Sequence, residues 1–179
     1  MSTLRERSRR ATREAIEDAA LHLFRERGYL QVTIEDIAAA AGVSASTFYR
    51  YFGTKEGIFT ASDLDVTTLV DEVDLTDVAG SLTRLAGQAQ WKGMDLVLSE
   101  PHVRAAVLGW LDAFSMQLAK RLRSGGMSGV QASATARTIC FGVYLSAIEQ
   151  WHREGEQKPV GEYFAQAACV DFPTAKRKI

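Results

Sequence analysis

"VTIEDIAAAAGVSASTFYRYF", residues 32–52, decides how this chain folds. Thr33 stands where a helix N-cap belongs, and Glu35 and Asp36 follow in the first turn, where carboxylates favour the helix dipole. Ile34, Ile37, Ala38 and Ala41 then recur at helical spacing as a buried stripe. Gly42 stops this short helix, Ser44 can cap another, and Phe48, Tyr51 and Phe52 give the second helix an apolar side. Ala38 is small where two helices must cross closely, Gly42 can take the positive φ of a tight turn, and Val43, Phe48 and Tyr51 fall where the second helix turns back onto the first. Two short helices about a glycine-centred turn are the helix-turn-helix arrangement, in which the second helix lies in the DNA major groove and the first braces it across the backbone.

The composition of the second helix suits that task. "AGVSASTFYRYF", residues 41–52, is too poor in Leu and Ile for an ordinary core helix and too poor in Glu and Lys for an ordinary surface one. On a helix beginning near Ser44 the outward positions are Ala45, Ser46, Thr47, Tyr49 and Arg50, while Phe48 and Phe52 turn inward. Short side chains at the helix start let the backbone approach base edges. Ser46 and Thr47 can hydrogen-bond bases or phosphates, Ala45 and the Thr47 methyl can touch thymine methyl groups, and the Tyr49 hydroxyl can reach a phosphate or a base edge.

Upstream, a helix spans about Arg9 to Arg27, with Ile16, Ala19, Ala20, Leu23 and Phe24 on one face and Gly28 ending it. The net charge of the whole chain is −1, so attraction to nucleic acid has to come from local clustering. "LRERSRRATR", residues 4–13, supplies it, with Arg5, Arg7, Arg9, Arg10 and Arg13 against Glu6 alone. This reads as a flexible basic arm that follows phosphates or enters a neighbouring minor groove.

The longer stretch "VTIEDIAAAAGVSASTFYRYFGTKEGIF", residues 32–59, closely resembles the DNA-binding segment of the TetR family of transcriptional regulators, and the similarity runs continuously from about Arg9 to Phe59. The resemblance implies an all-helical homodimer whose first three helices bind an operator half-site. A larger C-terminal domain would dimerise and bind a small molecule that lowers DNA affinity. By position in the motif, Thr33 and Lys55 resemble phosphate contacts and Tyr51 a backbone contact, while Ala45 stands where many relatives carry a longer polar side chain. The DNA-binding set implied is Thr33, Ser44, Ala45, Ser46, Thr47, Tyr49, Arg50, Tyr51 and Lys55, in a domain of residues 1–53 followed by a helical ligand-binding and dimerisation domain of residues 54–179.

The rest of the chain fits an all-α fold. No strand-like alternation persists, and helices are expected from about Thr54 toward Val70, then over about 80–88, 91–99, 101–123, 130–154 and 160–170. Residues 63–77 hold six carboxylates and no Lys or Arg, which reads as a solvated acidic connector. Ile139, Gly142, Val143, Ser146, Ala147 and Gln150, with Tyr163, Phe164, Ala167 and Ala168, have the spacing of a close helix contact, and the family places its dimer interface on the last two long helices. Trp91, Met94, Leu98, Trp110, Phe114, Phe141, Tyr144 and Trp151 are the large apolar side chains from which a pocket for a small, mostly hydrophobic effector could be lined.

Enzyme chemistry is weakly represented. "EQWH", residues 149–152, is one Glu-x-x-His, whereas a di-iron bundle needs two and further glutamates. No glycine-rich phosphate loop, nucleophile elbow or paired-cysteine metal site is present, so neither a metal nor a cofactor is expected. Cys140 and Cys169 sit in apolar helical patterns as small hydrophobes. With no signal-peptide core and no span long enough to cross a membrane, a cytoplasmic setting is expected.

Overall fold

α1 (Leu4–Arg27) runs for 24 residues and begins well before the expected Arg9, so the basic segment is its first turns rather than a loose arm. The structure, a computed structural model, describes residues 4–60, 66–88 and 92–169. α1 stops because Gly28, at φ 82°, leaves helical geometry while its N–H still reaches the Phe24 carbonyl at 2.9 Å. A single 3₁₀ turn over Tyr29–Gln31 leads to α2 (Ile34–Ala40), and Gly42, at φ 67°, carries the chain into α3 (Ala45–Phe52). α4 (Gly57–Thr60) and α5 (Val66–Asp71) follow, within the span expected for one helix. Then come α6 (Val78–Gln88), α7 (Met94–Ser99), α8 (Pro101–Ser124), α9 (Gly129–Arg137), α10 (Ser146–Arg153) and α11 (Val160–Ala168). No strand occurs among the described residues.

By packing, the chain divides into one unit of Met1–Asp63 with Lys92–Leu108 and another of Leu64–Trp91 with Gly109–Ile179. This partition is not the 53/54 division expected from function, because the first unit recruits residues far along the chain. In that unit Ile16, Ala20, Phe24, Ile37 and Phe48 are buried with Val103. Arg25 donates two hydrogen bonds to the Asp95 carboxylate, each 2.9 Å, and Lys92 pairs with Asp18 at 2.7 Å, fastening the α7 region to α1. Gly93 permits the approach: a Cβ there would stand 2.6 Å from Leu21 Cδ2.

In the second unit α11 packs on α6 and α10. Gly161 lies so near Thr83 that an added Cβ would be 2.9 Å from its methyl. Arg121 of α8 donates to the carbonyls of Val70 and Val73 at 2.6 and 2.7 Å, satisfying acceptors at the end of α5. The described part of the acidic stretch works locally. Asp77 accepts from the Gly80 N–H in the first turn of α6, and Asp74 accepts from the Thr76 N–H and hydroxyl, which holds its carboxyl below the usual range. Asp63 and Asp65 lie outside the described residues.

The helix expected over 130–154 is interrupted. Between α9 and α10, Thr138–Leu145 is π-helical, and the Ser146 hydroxyl donates to the Phe141 carbonyl at 3.0 Å. Gly142 sits in this segment, where its missing side chain lowers the cost of leaving α geometry.

Candidate nucleic-acid interface

The helix-turn-helix is built as its sequence suggests. Thr33 caps α2 reciprocally with Asp36: the Thr33 hydroxyl accepts from the Asp36 N–H at 3.1 Å, and the Asp36 carboxylate accepts from the Thr33 N–H at 2.9 Å and from its hydroxyl at 2.7 Å. Those bonds to Thr33 hold the Asp36 carboxyl below its ordinary value. They also occupy both Thr33 donors, so an incoming phosphate would compete with Asp36 for them. In the turn the Val43 N–H bonds the Ala38 carbonyl at 2.9 Å, closing the chain against α2 where Ala38 is small.

α3 presents two chemically different sides. Phe48 is fully buried and Phe52 nearly so, and their rings, 5.4 Å apart, hold the helix down. On the other side Ser46, Tyr49 and Arg50 are exposed, and Ala45, Thr47 and Tyr51 are partly so. Tyr49 is half exposed, a large ring left in water on a helix that buries Phe48 and Phe52. The Arg50 guanidinium lies 5.4 Å from the centre of the Tyr51 ring, which steadies the long side chain without covering it.

The first turn of α3 carries a cluster of three hydroxyls. Ser44 Oγ accepts from the Thr47 N–H at 3.2 Å as the N-cap, and lies 2.9 Å from Ser46 Oγ and 3.0 Å from Thr47 Oγ1. Each hydroxyl can donate or accept, so together they can present either polarity to a base edge or a phosphate oxygen. Ala45, between them, adds no bulk.

The basic residues around this surface separate into two groups. Arg5, Arg7 and Arg10 are exposed along the start of α1, with Arg10 bonded to Glu14 at 2.8 Å one turn on. Arg13 turns inward: it donates to Glu17 at 3.0 Å, and its guanidinium lies 5.0 Å from the centre of the Phe52 ring. Burial raises the Glu17 pKa while Arg13 pulls the other way. Lys55 is also committed within the protein, to the carbonyls of Tyr29 and Val32 at 2.8 and 2.9 Å. Thus two cations that the sequence offers to phosphates also have partners within the protein.

The residues expected to line an effector pocket fall in both units. Trp91 lies outside the described residues. Met94 and Leu98 belong to the first unit, whereas Trp110, Phe114, Phe141 and Tyr144 belong to the second. There Trp110 and Phe114 pair at 5.6 Å, and Tyr144 stacks on Phe164 at 6.0 Å. An open cavity of about 200 Å³ in that unit is lined by other residues, among them Met116, Ala119, Lys120, Arg123, Ser133 and Arg137, so its walls mix apolar surface with three cations. In the helices expected to dimerise, Ile139, Val143, Ala147, Tyr163 and Phe164 are buried within the chain itself. Gly142, Ser146, Gln150 and Ala168 are exposed and Ala167 is partly so. Glu149 and His152 turn to separate partners, Arg153 at 3.3 Å and Glu156 at 2.9 Å. No helix among the described residues is long and apolar enough to cross a membrane.

Comparison with known proteins points the same way as this geometry. Residues 16–61 match the family model described as bacterial regulatory proteins, tetR family. MftR of Mycobacterium tuberculosis (strain ATCC 25618 / H37Rv), provisionally named a mycofactocin biosynthesis transcriptional regulator, is 29% identical over 167 residues, or 83% of each chain. The HTH-type transcriptional regulator TcmR of Streptomyces glaucescens is 31% identical over 130 residues, covering 73% of this chain and 47% of TcmR. Among solved structures, NalD of Pseudomonas aeruginosa, described as the secondary repressor of the MexAB-OprM multidrug efflux pump, has a TM-score of 0.54 at 20% identity, covering 88% of this chain and 93% of NalD. At that identity the likeness is one of fold.

Proposed function

Because the chain belongs to the TetR family and is a DNA-binding transcriptional regulator, we propose that it acts as a homodimeric repressor, binding a palindromic operator and released by a small, mostly hydrophobic effector. The observation that carries the DNA reading is the hydroxyl cluster of Ser44, Ser46 and Thr47 at the start of a helix held by Phe48, with Tyr49 and Arg50 exposed beside it. In this reading Ser46 and Thr47 meet base edges, Ala45 lets the backbone approach, and Tyr49, Arg50 and Tyr51 reach bases or phosphates. Ser44 serves mainly as the cap. Thr33 contributes only where a phosphate displaces its bond to Asp36.

Two-fold pairing would use the outward faces of the π-helical segment, α10 and α11, where Gly142, Ser146 and Ala168 leave room for a second copy. That face is narrower than the sequence spacing suggests, since about half of the expected residues serve the internal core. Two recognition helices would then sit one DNA turn apart, roughly 34 Å. Effector binding would favour a dimer geometry that no longer matches this spacing.

Selection from a random duplex library at near-physiological salt tests the reading. A two-fold symmetric consensus supports it and yields the operator. Failure to enrich any sequence, from folded dimeric protein, overturns it. With the operator in hand, loss of binding at saturating effector tests the release step.

A further inference from the structure

The open cavity of about 200 Å³ lies between the last turns of α8 and the first turns of α9, wholly within the second unit. Its lining falls at four-residue steps, with Met116 and Lys120 beside Ala119 and Arg123 on α8 and Ser133 before Arg137 on α9, so each helix turns one stripe to the same space. Three of these side chains are cations, and no carboxylate lines the cavity. Arg137 meets the Asp112 carboxylate at 2.8 Å through one terminal nitrogen, which leaves other N–H groups of its guanidinium to serve a ligand. The side chains of Lys120 and Arg123 have no hydrogen bond or ion pair among the described residues. Arg121, between them in sequence, shows the contrast, since it donates to the carbonyls of Val70 and Val73. At the same cavity Met116 is 63% exposed, a long apolar side chain left in water.

We propose that this cavity binds a small organic acid, its carboxylate held by Lys120, Arg123 and Arg137 and its apolar body resting on Met116 and Ala119. A recess lined by one sign of charge concentrates the opposite ion, and a guanidinium can meet a carboxylate through two parallel hydrogen bonds. A bare inorganic anion would satisfy the cations but leave Met116 wet, whereas a neutral apolar molecule would cover Met116 and leave three like charges uncompensated. One ligand class uses both parts of the wall. The size agrees: a cavity of about 150 Å³ can hold benzene, so about 200 Å³ admits a ring that carries one carboxylate. Binding here is independent of the repressor reading, and a chain that enriched no operator would still carry the site.

The test titrates benzoate, its neutral counterpart benzamide and inorganic phosphate into the full chain at constant ionic strength, following backbone amide shifts. Benzoate should saturate one site with its largest shifts over residues 115–123 and 129–137, and benzamide and phosphate should each bind at least about tenfold more weakly, as for loss of one charge-assisted contact or of the apolar one. Lys120→Gln and Arg123→Gln should each weaken benzoate about tenfold and leave benzamide unchanged. Both variants should keep the wild-type unfolding midpoint, because neither side chain has a partner in the fold. Met116→Ser should weaken benzoate and leave phosphate alone, and Lys120→Arg, which keeps the charge, should retain binding.

Phosphate bound as tightly as benzoate would make the recess a plain anion site and overturn the organic-acid assignment. Benzamide bound as tightly as benzoate would remove the part given to the cations. Shifts centred on other helices, or benzoate affinity unchanged in both Gln variants, would place the ligand elsewhere and refute the site. No saturable benzoate shift would leave a solvated basic recess and overturn the proposal outright.

Discussion

Replacing Gly57 by Ala should damage the junction between the recognition helix and α4, because the main chain leaves no room for a side chain there. A Cβ on Gly57 would stand 1.9 Å from the Phe52 carbonyl oxygen and 2.8 Å from the carbonyl carbon. The obstruction is main chain, so no side-chain rotation relieves it, and something must move by about 1.5 Å to restore an ordinary contact distance. Overpacking of this kind costs about 1–3 kcal/mol. At the start of α4 the propensity gain of Ala over Gly, at most about 1 kcal/mol, offsets only part of that. The midpoint of thermal unfolding should fall by roughly 2–4 °C per kcal/mol in a chain of this size. Because the displaced carbonyl ends α3, operator affinity should drop even where the variant is fully folded. Gly109→Ala is the control: Gly109 lies within α8 with nothing inside 4 Å of an added Cβ, so the substitution should stabilise by about 0.5–1 kcal/mol and leave DNA binding unchanged. Thermal denaturation and operator titration of both variants decide the matter. A Gly57→Ala protein as stable as wild type, or a Gly109→Ala protein less stable, would refute the packing argument.

Ser44→Ala removes the acceptor for the Thr47 N–H and should cost about 1 kcal/mol, whereas Ser44→Asp keeps the cap and suits the helix dipole but sets a negative charge against phosphate. Denaturant titration beside operator binding should therefore show stability lost in the first and affinity lost in the second; parallel losses in both would count against the capping assignment. Asp36, Glu56 and Asp95 are lowered by bonds from Thr33, Tyr29 and Arg25, so each ionises more readily folded than unfolded. Each contribution is fully present above the unfolded values, ordinarily 3.8 for Asp and 4.5 for Glu, and is lost as pH falls through the folded values. Glu17, raised by burial, works in the opposite sense. Stability against denaturant should thus decline as the solution is acidified through about pH 4, and Glu56→Gln should flatten part of that decline. Burial pushes the Cys140 thiol up to about 12, so alkylation at pH 8 should spare it in native protein and modify it in denaturant; rapid native labelling, read by peptide mapping, would contradict its burial.

The sequence by itself determined the local elements of the DNA-binding segment. Thr33 and Ser44 cap helices through bonds to residues three positions on, and Gly42 turns the chain through a φ its neighbours disfavour. Phe48 turns inward because helical periodicity leaves it opposite the hydroxyl face. Such effects act within one or two turns, so a residue pattern suffices to read them.

The tertiary structure decided where the long side chains go. Arg13 and Lys55 read as free cations, yet each finds its partners on another element: Phe52 is 39 positions from Arg13, and the carbonyl oxygens of Tyr29 and Val32 lie 26 and 23 positions from Lys55. Lys92 and Asp95 meet α1 across 74 and 70 positions, which moves the packing boundary away from 53/54. Ile139, Val143, Tyr163 and Phe164 have the same apolar character whether they face a partner or their own core, and only their burial within the chain separates the two. Charge and hydrophobicity state what a side chain can do; its partner depends on which distant segment folds against it, and the free energy of that approach is not written in local spacing.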